Sequence, residues 1–121
     1  MAEYLPVYKP GQAITLKASA SITGRQVVAV SGSGTVAPAG SASTAFVGVA
    51  GFDAATNDNV TIFTGGVQSV TASANITAGA TVECAASGAV AASATPTAET
   101  VVGVALTTAT SGNKVRVLFN R

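Results

Sequence analysis

The sequence predicts an all-β fold, a small compact β-barrel or sandwich made of two pseudo-repeated halves and preceded by an extended N-terminal arm. Short β-branched segments recur between glycine, asparagine, aspartate and proline residues, which is the pattern of such folds. No segment carries a clean apolar stripe of helical period, because Gly88, Pro96 and several Ser and Thr interrupt the longest alanine-rich stretch. A third observation, an internal repeat, predicts the two halves.

The repeat is clearest in two strand-like segments, FVGVA at 46–50 and VVGVA at 101–105. The separation is 54 positions between Val28 and Val82, and it grows to 55 at the V-G-V-A segments because the second copy has one inserted residue. Because the two copies stay in register from Val28 through the V-G-V-A segment, the similarity indicates a duplicated structural unit rather than coincidence. The predicted organisation is an arm at 1–13 and a single β-domain at 14–121, with repeat halves at about 21–63 and 75–119.

The predicted strands lie, in chain order, in AITLKA, QVVAV, FVGVA, NVTIF, VQSV, ATVEC, VVGVA and KVRVLF. Each is short and rich in β-branched residues. The last alternates most regularly, with Val115, Val117 and Phe119 on one face and Lys114 and Arg116 on the other.

Glycine marks the turns and bends of the predicted fold. The segment NVTIFTGGVQSV predicts a β-hairpin turned by Gly65 and Gly66, since glycine tolerates the positive φ that a tight turn requires. Gly48 and Gly103 instead lie inside strands, where glycine usually lowers stability. Their equivalent places in the two copies predict a bulge or a close backbone crossing at equivalent bends.

The N-terminal arm lies outside the repeat. Pro6 and Pro10 fix φ near about −65° and cannot donate backbone hydrogen bonds, so the arm is predicted to be extended. Two interpretations remain open: the arm packs on its own barrel or frays, or it adds to a neighbouring chain as extended peptides do. The arm residues predicted to contact a partner are Tyr4, Leu5, Val7 and Tyr8.

Composition argues against several classes of function. Six basic and five acidic residues form no run of like charge, so no face neutralises the phosphates of a nucleic acid. No apolar stretch approaches the ~20 residues of a membrane-spanning helix, and the N-terminus lacks the pattern of a signal peptide. The single Cys84 permits no intrachain disulfide, which fits synthesis in a reducing cytoplasm. A core of small side chains with four Phe and two Tyr favours self-association.

No constellation of residues predicts catalysis, a cofactor or a metal. Histidine is absent, and no two of the five acidic residues have a spacing that suggests a catalytic pair. Cys84 is equivalent to Val30 in the repeat and is predicted to be a buried small residue rather than a nucleophile. SGSGT at 31–35 predicts a hairpin turn rather than a phosphate loop, and DAATNDN at 53–59 a solvated turn rather than a calcium loop. The chain is therefore predicted not to be an enzyme, with no catalytic residues, cofactor or small-molecule substrate.

The order of these segments is itself informative. After the arm come SITGRQVVAVSGSGTVAPAG, the VGVA strand and TNDNVTIFTGGV, followed by ITAGATVECAASGAVA and a C-terminal VVGVALTTATSGNKVRVLF. This order resembles the capsid cement family, the small head-decoration proteins of tailed bacteriophages. The resemblance covers residues 14–119 and rests on the spacing of glycines, valines and turns.

The resemblance implies a homotrimer, made in the host cytoplasm, on the outer surface of an expanded icosahedral phage head. There it would bridge subunits of the major capsid (coat) protein and stabilise the shell. The N-terminal arm commonly reaches the coat protein in this family, and residues 2–12 occupy that position. An alternative is a tail-tube, fibre or adhesin-type structural β-module, which has similar strands.

Overall fold

The computed structural model describes residues 4–9 and 11–120. It is an all-β structure, which confirms the predicted fold class, and within those residues the only helix is a short 3-10 turn at Ala86–Gly88. Ten strands follow in chain order: β1 (Ile14–Ala18), β2 (Val27–Gly32), β3 (Thr35–Pro38), β4 (Phe46–Ala50), β5 (Asn59–Phe63), β6 (Val67–Thr71), β7 (Thr81–Cys84), β8 (Val90–Ala92), β9 (Val101–Ala105) and β10 (Lys114–Phe119).

The first five strands form a closed barrel in the order β1-β3-β2-β4-β5. We call this unit, residues 14–63, the first lobe. β1 closes it by pairing in parallel with β3 and antiparallel with β5. Alternating side chains of each strand point inward. The interior is filled by Ala18, Ile22, Val28, Val36, Ala50, Ala54, Val60 and Ile62.

The last five strands form a sheet in the order β6-β10-β9-β7-β8. We call this unit, residues 67–119, the second lobe. If β6 to β10 are matched in turn with β1 to β5, the neighbours are the same in both lobes. Even the parallel closure has its counterpart, because Ala18 pairs with Val36 in the first lobe and Ala72 forms an isolated parallel bridge with Val90 in the second.

The two strand glycines occupy equivalent positions in this register. Val28 pairs with Gly48 and Val82 pairs with Gly103, and the register shifts immediately after each pair. A Cβ atom on Gly48 would collide with the carbonyl oxygen of Phe63, and one on Gly103 with that of Leu118. Both glycines therefore allow a close crossing of backbones, one of the two causes that the repeat predicted.

The predicted hairpin between NVTIF and VQSV is wrong. β5 pairs with β1 and β4, which fill both of its edges, and β6 pairs with β10 instead. Gly65 and Gly66 do adopt positive φ, of 63° and 65°, but the turn they make joins the two lobes. A strand inside a closed barrel has no free edge for the strand that follows it.

The lobes pack against each other through a shared core. Outward-facing residues of β2 and β4, among them Val27 and Val49, belong to the same buried cluster as the interior of the second lobe. Backbone hydrogen bonds cross the junction from Gly88 N–H to the Ala39 carbonyl, at 2.9 Å, and from Ala42 N–H to the Cys84 carbonyl, at 2.8 Å. The second lobe thus buries one outer face of the first.

Candidate functional site

The positions that sequence analysis weighed for chemistry are structural. Residues 31–35 form the turn between β2 and β3, and Cys84 is buried in the core, both as predicted. Asp53 accepts a hydrogen bond from Gly24 N–H at 2.8 Å, which ties two loops together. Among residues 4–9 and 11–120, no group of three His, Cys, Asp or Glu is placed to hold a metal ion. Nor is any helix in those ranges long and apolar enough to cross a membrane.

Residues 4–9 of the N-terminal arm expose most of their large apolar side chains. This segment contains no helix or strand. Leu5 is 78% exposed and Val7 is 85% exposed, and Tyr4 is similarly open to solvent. Free apolar side chains at this density on one short segment are typical of an interaction site. Pro10 and residues 1–3, which belong to the same predicted arm, lie outside the described residues.

The base of the arm is fixed to the first lobe. The Tyr8 hydroxyl accepts a hydrogen bond from Thr15 N–H at 3.2 Å, at the start of β1. Lys9 and Gln12 form a turn in which Lys9 N–H donates to the Gln12 Oε1 at 2.8 Å and Gln12 N–H donates to the Lys9 carbonyl at 3.0 Å. Of the four predicted contact residues, Tyr8 therefore anchors the arm on the barrel. The other three, Tyr4, Leu5 and Val7, have most of their surface exposed to solvent.

A second exposed apolar surface was not predicted from the sequence. Leu118 on β10 pairs with Val67 on β6 and with Val104 on β9, so the three side chains form a continuous row across three strands. All three are exposed. We call them the apolar row. The signal was present in KVRVLF, because Leu118 alternates in phase with the solvent-facing Lys114 and Arg116.

A cleft of about 330 Å³ opens between the two lobes. Two basic residues, Arg25 and Lys114, line it, and Lys114 Nζ donates to Thr71 Oγ1 at 2.6 Å. Arg25 adopts a positive φ of 74°, where its counterpart in the second lobe is Gly79. Among the described residues, the lining holds no carboxylate, thiol or imidazole.

Comparison with known proteins identifies a family and a shared fold. A family model described as phage cement protein matches residues 8–120. Among solved structures, the chain is similar to the N base of the head fiber gp8.5 of bacteriophage phi29, with a TM-score of 0.70 and 19% sequence identity over 89% of this chain and 92% of that one. At that identity the likeness shows a common fold. No curated protein sequence matches the chain.

Proposed function

The chain belongs to the phage cement protein family, and on that premise we propose that it is a capsid decoration protein on the outer surface of an expanded icosahedral head. A homotrimer bridges neighbouring subunits of the major capsid protein and holds them together. The role is structural and non-enzymatic, and it requires no cofactor, nucleic acid, membrane or small molecule.

The observation that carries this proposal is the exposed end of the N-terminal arm. Tyr4, Leu5 and Val7 extend beyond the Tyr8 anchor with most of their surface in water. Burying a large apolar side chain contributes about 1.5–3 kcal/mol, less the entropy lost on ordering it. An apolar groove on the coat protein would therefore gain several kcal/mol from one arm. Because the base of the arm is already fixed, less of the chain needs to be ordered on binding.

Multivalency turns this modest contact into a clamp. Three arms on one trimer engage several coat subunits at once, so the release of one arm leaves the other two bound. A protein that binds only the expanded shell stabilises that state by mass action. The sparse charge of the chain, a net +1, fits a contact made mainly by apolar burial.

A second candidate function is a base that attaches a fibre to the head. It is favoured by the fold shared with the head fiber base of phi29. The two candidates predict different partners. A cement protein binds the shell with nothing further attached, whereas a fibre base on purified virions is continuous with or bound to an elongated fibre that negative-stain microscopy makes visible.

The arm is tested by co-sedimentation with undecorated expanded capsids. Leu5→Ser and Val7→Ser together are expected to reduce binding strongly and to leave the fold intact. Phe52→Ser, at another exposed apolar side chain in the loop after β4, is the matched control and retains binding. If the double variant binds as tightly as the unchanged protein, the arm is not the capsid contact.

A further inference from the structure

The contact between the two lobes has a defined geometry. The tip that follows β7, residues 84–88, lies against the first lobe, where Gly88 N–H and the Cys84 carbonyl make the backbone hydrogen bonds across the junction. A Cβ atom on Gly88 would lie 2.9 Å from the carbonyl oxygen of Val27, so the tip is in close contact with β2. We call residues 84–88 the β7–β8 tip. The outward residues of the first lobe that share its buried cluster form the β2–β4 face: Val27, Ala29, Phe46 and Val49.

The first lobe has a corresponding tip whose residues are all exposed. We call residues 30–34 the β2–β3 tip. Its Gly34 has φ of 72°, against 73° for Gly88, but only the β7–β8 tip has a second positive φ, 58° at Ser87, so the two tips share the glycine conformation and not the whole turn. Yet a Cβ atom on Gly34 would meet nothing within 4 Å. Val30 is 49% exposed, whereas its counterpart Cys84 is 1% exposed. The repeat thus correctly predicts that Val30 and Cys84 occupy equivalent places in their strands, but their burial differs.

The second lobe has an equivalent face that is less buried, with three half-buried residues and one exposed residue. On the first lobe Val27 pairs with Val49 and Ala29 pairs with Phe46. The corresponding pairs on the second lobe are Thr81 with Val104 and Glu83 with Val101. We call these four residues the β7–β9 face. Val104 is 40% exposed, whereas Val49 is 3% exposed. The apolar row runs into this face through Val104.

We propose that the chain self-associates head to tail, with the β2–β3 tip of one copy docked on the β7–β9 face of the next. The contact joins the counterparts of two surfaces, a tip and a face, that meet between the lobes within one copy. It deepens the homotrimer of the proposed function, and it rests on self-association rather than on capsid binding. A three-fold ring requires a heterologous contact in which two different surfaces meet. The two surfaces left over by the intrachain contact form such a pair.

The two docking faces differ in chemistry in a way that affects strength. Glu83 and Thr81 replace Ala29 and Val27, so the β7–β9 face is more polar than the β2–β4 face. Burying a polar group costs free energy unless it gains a hydrogen bond. We therefore expect the contact between copies to be weaker than the contact between lobes and to be reversible upon dilution.

Cross-linking with paired cysteines tests the proposal. In a Cys84→Ala background, Val30→Cys in one affinity-tagged chain is mixed with Val104→Cys in an untagged chain and treated with a short bismaleimide. We expect a mixed cross-linked pair, and far less product when Phe52→Cys replaces Val104→Cys. Cross-linking of Val104→Cys chains to one another, with no mixed product, would indicate an isologous contact and overturn the proposal.

The same mixture is tested in concentrated solution and on decorated capsids. A mixed product in solution without any capsid binding supports this inference and removes the proposed function. Capsid decoration without a mixed product in either setting removes this inference alone. Where the chain is monomeric in concentrated solution and gives no mixed product on capsids, head-to-tail association is wrong.

A charge at either surface gives a second readout. Val30→Asp or Val104→Asp is expected to weaken self-association, raising its dissociation constant by about tenfold or more. Phe52→Asp, at a comparably exposed side chain, is expected to leave it unchanged. Circular dichroism checks that all three variants remain folded. Unchanged association in both tip and face variants would contradict the proposal.

Discussion

The first and second lobes have the same strand order, but they enclose their cores differently. The first lobe is closed on both sides of β1 and has an interior cluster made only of its own residues. The second lobe is joined between β6 and β8 by the single bridge of Ala72 and Val90, and its interior is continuous with the β2–β4 face. The second lobe therefore depends on the first for part of its core, whereas the first has a core of its own. Duplication of a sequence does not produce two equally independent units.

The largest effect is expected at the backbone crossing of the second lobe. Gly103→Ala places a Cβ against the Leu118 carbonyl, with no flexible side chain that can move aside. We expect a loss of about 3 kcal/mol or more in the free energy of unfolding, because β9 and β10 must separate. Urea denaturation measures it. Gly40→Ala, where a Cβ meets nothing within 4 Å, is the control and is expected to stay within about 0.5 kcal/mol of the unchanged protein.

The second prediction isolates the contact between lobes. Gly88 and Gly34 both have positive φ, so alanine at either site is strained by about 1 kcal/mol. Alanine at Gly88 would in addition collide with Gln26 and Val27. We expect Gly88→Ala to cost about 1–2 kcal/mol more than Gly34→Ala in denaturation at low protein concentration. Equal costs would show that the tip of the second lobe does not stabilise the fold by packing on the first.

The third prediction concerns the order in which the lobes open. In native-state hydrogen exchange, we expect the amides of β8 to exchange through openings of lower free energy than the amides of β1. The same is expected of Ser73 N–H, which donates to the Val90 carbonyl. One bridge instead of a ladder leaves fewer hydrogen bonds to break at that seam. Equal protection at both seams would mean that the difference between the lobes has no effect on local stability.

The smallest effect is expected where each lobe begins. The arm leads into β1, and the linker at 64–66 leads into the equivalent β6. Deleting residues 2–12 removes the Tyr8 and Gln12 hydrogen bonds, and the described residues in that range, 4–9 and 11–12, are all exposed. We expect the free energy of unfolding to fall by no more than about 1 kcal/mol, measured by thermal and urea unfolding. A larger loss would mean that the arm contributes to the stability of β1 beyond these hydrogen bonds.

The comparison of the lobes also shows what sequence can and cannot predict. Eight of the ten strands and the equivalence of Gly48 and Gly103 are local signals, so pattern and repeat were enough to find them. β3 and β8, of four and three residues, were missed. The pairing of β5 with β1 was not, because the sequence of a turn does not reveal whether the strands on either side share a sheet.

Burial was the other limit of the sequence analysis. Val49 and Val104 are valines at equivalent positions of the two copies. Val49 is buried and Val104 is exposed only because one lobe docks on the other. The apolar row of Leu118, Val67 and Val104 was not predicted for the same reason, although the alternation of side chains along β10 places Leu118 on the solvent-facing side. The role of the arm residues remains a prediction from the sequence and the family.

The linker at 64–66 has a further consequence for assembly. The step from Phe63 to Val67 reaches at most about 14 Å, so the end of β5 holds the start of β6 close to it. Docking of the second lobe is therefore a unimolecular step whose yield does not depend on how much protein the cell makes. Contacts between separate chains have no such tether and form only when enough copies have accumulated. The linker thus separates folding, whose yield is independent of protein concentration, from the proposed association between chains, which would depend on it.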